Sequence, residues 1–125
     1  MDFCAREGIV IEAYSPLTKG ERLKDPKLVA VAKKYSTAEP QPTAPRSRLP
    51  LVDRLSRRSE NKSTAQILIR WALQHGLAVI PKSANRRRIF ENADVFDFEI
   101  TAEDMQLLDR FNEDFRTCWD PTNAP

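Results

Sequence analysis

The chain has 125 residues, 20 lysines and arginines against 18 aspartates and glutamates, and a net charge of +2. A pI near 8.7 is too mildly basic to require nucleic acid or a membrane surface as partner, and the length suits one domain of ordinary size. Cys4 and Cys118 lie at opposite ends, with no Cys or His at ligand spacing, so no metal site is implied, and two reduced thiols in a cytoplasmic protein are expected rather than a terminal disulfide. The first residues lack a secretory-signal pattern, and no apolar run approaches membrane-spanning length, so the sequence reads as soluble and intracellular.

Cys4 to Glu7 reads as the last turn of a helix, with Gly8 as its C′ residue. Ile9 to Tyr14 is a β-branched strand, stopped by Ser15-Pro16, where proline removes a ladder donor. Leu17 to Lys24 is a polar loop containing Gly20. Asp25 as N-cap and Pro26 at the first helical position then open a helix. Leu28, Val29, Val31 and Ala32 supply its apolar side, Lys33 and Lys34 complement the dipole, and it should end near Tyr35.

From Ser36 to Glu60 the composition changes. Pro40, Pro42, Pro45 and Pro50 exclude a regular helix, and Arg46, Arg48, Arg54, Arg57 and Arg58 make the segment basic. No aromatic side chain is interleaved for base stacking, so residues 36–60 read as a disordered insertion rather than a nucleic-acid site. Capture of an acidic partner stays an alternative.

Ser63-Thr-Ala-Gln66 fits a capping box. Ala65, Leu68, Ile69, Ala72 and Leu73 make the core stripe of the helix it opens, and Gly76 stops that helix. His75, the only histidine, reads as structural, with no acid or nucleophile near it in sequence. Leu77 to Ile80 is an apolar run without alternation, as in a strand buried on both faces of a parallel sheet.

Asn85 can cap the next helix, on which Ile89, Ala93 and Phe96 fall near one face. Arg86, Arg87 and Arg88 would occupy its first turn, where the dipole disfavours each cation by about 0.3–1 kcal/mol. An anion docked at the helix start, held by free backbone N–H groups, guanidinium forks and Lys82, would offset that cost. A solvated basic face is the competing reading. After Phe96 to Ile100, Thr101 caps a final helix with Glu103 and Asp104 in its first turn and Met105, Leu108 and Phe111 inward. The tail, Phe115 to Thr122, has no regular pattern. Two strands cannot close a parallel sheet, so the chain reads as part of a domain.

The words Gly8-Ile-Val-Ile-Glu-Ala-Tyr-Ser-Pro-Leu17, Ser63-Thr-Ala-Gln-Ile-Leu-Ile-Arg-Trp-Ala-Leu-Gln74, Val79-Ile-Pro-Lys-Ser83, Arg88-Ile-Phe-Glu-Asn92 and Val95-Phe-Asp-Phe98 resemble the C-terminal third of an aldo-keto reductase. That resemblance implies an α/β fold, the C-terminal part of a (β/α)8 TIM barrel carrying strands seven and eight. It implies NADPH as cofactor and, for a full-length form, reduction of a small carbonyl substrate to an alcohol by hydride transfer. By resemblance Tyr14 stacks on the nicotinamide, and Ser15 and Leu17 contact the pyrophosphate. Lys82, Ser83 and Arg88 bind the 2′-phosphate, Glu91 and Asn92 hold the adenine, and Trp119 borders the substrate pocket. The catalytic tetrad of Asp, Tyr, Lys and His belongs to the absent part. No catalytic residue is therefore assigned here, and the isolated chain is expected to be inactive. Ser36 to Glu60 departs from the family pattern as about 25 extra residues between two helices.

Overall fold

The computed structural model describes residues 1–36, 62–115 and 117–118; the insertion expected at 36–60 lies, Ser36 apart, outside them, as does Trp119. In chain order the elements are α1 (Asp2–Arg6), β1 (Glu12–Ala13), a 3-10 turn (Thr18–Gly20), α2 (Pro26–Lys34), α3 (Thr64–Gln74), β2 (Ala78–Val79), α4 (Arg86–Ala93) and α5 (Ala102–Asp109).

Each longer helix starts where a side chain can satisfy its free N–H groups. Asp25 accepts from the Lys27 N–H at 2.9 Å. Ser63 accepts from the Gln66 N–H at 3.3 Å while Gln66 accepts from the Ser63 N–H at 3.0 Å, completing the reciprocal cap. Thr101 accepts from the Asp104 N–H at 3.2 Å. Past α3, Gly76 takes a left-handed φ of 73° that turns the chain into β2, a conformation in which a Cβ would be strained.

The core lies between helices. Leu28, Val31 and Ala32 of α2, Ile67 of α3, and Ile100 and Leu108 at α5 form one buried cluster, flanked by Trp71, Phe98, Met105 and Phe111. The stripe expected on α3 is corrected in detail. Ile67 is fully buried and Gln66 nearly so, whereas Leu68 and Leu73 are only half-buried. The helix packs on α2, β2 and α4, so more than one of its sides is covered and a single stripe underdescribes it.

Both strands are shorter than the sequence suggests, and they pair in parallel with Glu12 opposite Ala78 and Ala13 opposite Val79. The expectation that Leu77 to Ile80 is buried on both faces fails in this chain. Leu77 and Val79 are half-buried, while Ala78 and Ile80 are exposed. A parallel sheet needs layers on both faces, and the described residues supply helices on one only. Ile89, Phe90 and Phe96 also stay exposed, at 51, 53 and 75%. Among the described residues no helix is long and apolar enough to cross a membrane.

Candidate functional site

Parallel pairing puts the carboxyl ends of β1 and β2 at one edge of the sheet, the edge beyond which ligands sit in parallel α/β folds. Tyr14, Ser15 and Leu17 follow β1 there, and Lys82 and Ser83 follow β2. Tyr14 is 59% exposed. The loop after it holds three non-glycine residues in left-handed backbone, Ser15 (φ 48°), Thr18 (φ 48°) and Lys19 (φ 53°). Such conformations cost on the order of 1–3 kcal/mol and persist where surrounding contacts hold them. Here the Thr18 N–H donates to the Ser15 carbonyl at 2.8 Å, and the Thr18 hydroxyl donates to the Leu17 carbonyl at 2.8 Å.

Cys118 closes on this loop, its Sγ 3.0 Å from the Ser15 Oγ. The Ser15 hydrogen bond outweighs the effect of burial and, with the charge of Lys19, holds the thiol below its ordinary range. In the sequence Cys118 lies in a tail without a regular pattern. Nothing local could have revealed a contact across 103 residues. Both cysteines are free thiols, as expected.

On the β2 side, Ser83 accepts from the Asn85 N–H at 3.2 Å, and the Asn85 carboxamide accepts from the N–H groups of Arg87 and Arg88 at 2.9 and 3.3 Å. This refines the anion-site expectation. The cap already occupies two of the N–H groups that were to face a phosphate, so recognition falls more heavily on side chains. Arg86, Arg87 and Arg88 are exposed in the first turn of α4, which holds no acidic residue. Lys82, Arg87 and Arg88 form no ion pair among the described residues. The Arg86 guanidinium lies 5.8 Å from the Phe90 ring centroid. Farther along α4, Glu91 is half-buried and Asn92 is 7% exposed.

The far end of α4 is anchored, and α3 is the anchor. Gln66 donates to the Asp94 carbonyl at 2.7 Å, Arg70 to the Val95 carbonyl at 3.3 Å, and Gln74 exchanges two bonds with Ile100 at 2.9 and 2.7 Å. Lys62, 6% exposed, reaches Asp94 at 3.4 Å and Asp97 at 2.7 Å and lies 5.0 Å from the Phe98 ring centroid. The arginine turn is thus the open end of a helix fixed at its base.

A separate cavity of about 510 Å³ opens between Leu28, Trp71, His75, Asp109, Phe111 and Phe115. None of the eight residues expected to hold a cofactor lines it. His75 reads as structural in the sequence, with no acid near it there; in the fold an acid does lie beside it. Its Nε2 is 2.9 Å from the Asp109 Oδ1, which also accepts from the Trp71 indole N–H at 2.8 Å. Burial pushes the Asp109 carboxyl up, but the bonds from Trp71 and His75 outweigh it and hold it below its usual range. The described lining includes no serine or cysteine, and its one hydroxyl, that of Thr18, donates to the Leu17 carbonyl at 2.8 Å. Among the described residues no cluster of three His, Cys, Asp or Glu could hold a metal.

The sequence model of the aldo/keto reductase family matches residues 1–113. An uncharacterised oxidoreductase of Schizosaccharomyces pombe is 41% identical over 125 residues, all of this chain and 36% of that protein. Glyoxal reductase of Bacillus subtilis is 39% identical over 120 residues, 96% of this chain and 34% of its own length. Among solved structures, a mutant of Gox0644 in complex with NADPH superposes with a TM-score of 0.72 at 34% identity, over 99% of this chain and 37% of that one. The chain spans about a third of the length of these relatives.

Proposed function

The chain belongs to the aldo/keto reductase family, and from that premise we propose that it carries the dinucleotide-facing part of an NADPH-dependent carbonyl reductase, strands seven and eight of its barrel. The observation that supports this most is the parallel register of β1 and β2, which sets Tyr14, Ser15 and Leu17 at the same sheet edge as Lys82 and Ser83. The site's chemistry fits the cofactor: an exposed aromatic ring follows one strand, and cations without ion-pair partners among the described residues follow the other.

In this assignment Lys82 and Arg88 neutralise a 2′-phosphate, the guanidinium by paired N–H bonds and the ammonium as a point charge. Ser83 orients the turn that carries them, and its hydroxyl can add a bond to a phosphate oxygen. Glu91 and Asn92, one helical turn beyond Arg88, offer an acceptor and a carboxamide to adenine. Tyr14 gives the nicotinamide a flat face, and Ser15 and Leu17 border the pyrophosphate from a loop whose left-handed residues are locked by hydrogen bonds. The bound cofactor supplies hydride for reduction of a carbonyl to an alcohol. The proton that must reach the carbonyl oxygen comes from a general acid, and none is assigned within these residues. Reductase activity is therefore a property of the longer fold, and this chain alone is inactive.

Calorimetric titration tests the reading. NADPH should bind more tightly than NADH, and Arg88→Ala should lower NADPH affinity by about 10- to 100-fold, the worth of a charge-assisted bond of about 1.5–3 kcal/mol, while leaving NADH nearly unchanged. Equal affinities for the two dinucleotides, or no response to Arg88→Ala, contradicts the 2′-phosphate assignment.

A further inference from the structure

The NADPH assignment uses one arginine of the α4 turn, and the other two are not equivalent. Residues four apart share one side of a helix. Arg86 shares its side with Phe90, which is exposed, and its guanidinium lies 5.8 Å from that ring centroid. Arg87 shares its side with Glu91, which is half-buried, and Arg88 with Asn92, which is 7% exposed. Because helical side chains lean toward the N-terminus, Glu91 and Asn92 reach back over the turn that carries Arg87 and Arg88. Arg86 thus belongs to the solvent side, and Arg87 to the side of the two residues assigned to adenine.

A second observation on that side points to a ligand. Although nearly buried, the Asn92 side chain forms no hydrogen bond among the described residues. No fully buried side-chain nitrogen or oxygen among them lacks a partner, so this carboxamide is open to an incoming molecule rather than sealed. It offers both a donor and an acceptor.

We propose that Arg87 is a second guanidinium for the 2′-phosphate and so a determinant of the preference for NADPH over NADH; this rests on the NADPH assignment. Charge supplies the reason. A phosphate monoester carries about two negative charges near pH 7, and the Glu91 carboxylate, one helical turn beyond, sets another negative charge beside it. Lys82 and Arg88 offset two of these. Arg87 is exposed and forms no ion pair, with Glu91 or any other described residue. It is free to offset the third through the charge-assisted bonds that a guanidinium makes with phosphate oxygens. Those bonds also offset the cost of placing another cation in the first turn of α4.

The test is calorimetric titration of the 125-residue chain with NADPH, NADH and adenosine 2′,5′-bisphosphate, which carries the phosphate and the adenine without the nicotinamide. Arg87→Ala should lower affinity for NADPH and for the bisphosphate by about five- to tenfold, exposed charges being partly screened, and for NADH by less than about twofold. Arg87→Lys should recover part of the loss, and Arg86→Ala should leave all three affinities unchanged. Both side chains are exposed, so each variant should keep the circular dichroism of wild type. If Arg87→Ala binds NADPH as wild type does while Arg88→Ala binds it weakly, this inference is overturned and the 2′-phosphate assignment stands. Equal losses from Arg86→Ala and Arg87→Ala, or a loss for NADH as large as that for NADPH, also overturn it. Equal affinities of the wild-type chain for NADPH and NADH, or binding of neither, overturn the inference and the assignment together.

Discussion

Replacing Asp104 by alanine should destabilise this chain clearly, because one carboxylate joins two helices. Asp104 is 5% exposed. Its Oδ1 accepts from the Lys34 ammonium at 2.5 Å and its Oδ2 from the Tyr35 hydroxyl at 2.8 Å. The Tyr35 oxygen in turn accepts from the Thr101 N–H at 2.9 Å. Burial pushes the carboxyl up, but the bonds from Lys34 and Tyr35 outweigh it and hold it below its usual range.

Bonds to a charged acceptor are worth about 1.5–3 kcal/mol each. The Lys34 side chain is 57% exposed, so its share is discounted, and the whole comes to about 2–3 kcal/mol. For an ordered unit of this size that is a fall in Tm of about 10–20 °C. Asp104→Asn keeps an acceptor and loses the charge, and should cost about half as much. A depressed folded-state pKa means stability present above the unfolded value and lost as pH falls through the folded one. The gap between wild type and Asp104→Asn should therefore be full at pH 7 and smaller at pH 3. Urea and thermal melts followed by circular dichroism at both pH values measure it. An Asp104→Ala variant within about 0.5 kcal/mol of wild type, or a gap unchanged at acid pH, refutes the reasoning.

Ile67, fully buried among α2, α3 and α5, should lose about 3 kcal/mol as alanine, whereas Ile89, 51% exposed, should lose less than about 0.5; parallel urea melts compare them. Lys62→Ala should cost about 2 kcal/mol, because it leaves carboxylates without their buried cation, and Lys62→Met clearly less, since it keeps the stem packed near Phe98; thermal melts rank the pair. The Cys118 thiol, held below its ordinary range chiefly by Ser15, should be alkylated faster by iodoacetamide at pH 7.5 in wild type than in Ser15→Ala.

Helix starts were legible because their chemistry is local. Asp25-Pro26, Ser63 with Gln66, Asn85 and Thr101 each cap a backbone group two or three residues away. Strands were legible in place but not in extent. Ile9 to Tyr14 has the composition of a strand, yet only Glu12–Ala13 pairs, since a ladder lasts only as long as its partner. The same dependence left Ile80 and Phe96 in solvent, where their apolar character had suggested cover. Ile67 was missed because one stripe was expected on a helix packed on several elements. The pairing of His75 with Asp109 was hidden by 34 residues of separation. For the candidate site, the residue types at Tyr14, Lys82 and Arg88 were visible in sequence, where the family resemblance set them on one cofactor, and the parallel register adds the sheet edge that Tyr14 and Lys82 share.

In the proposed function the loop after β1 and the arginine turn after β2 face one dinucleotide. Amide chemical-shift mapping of the isotope-labelled chain during titration with NADPH, and in parallel with NADH, tests it most directly. Perturbations are expected at residues 14–17 and 82–92 together, with those around Arg88 much weaker for NADH. Shifts confined to the cavity at Trp71, His75 and Phe111, or identical patterns for the two dinucleotides, would contradict it.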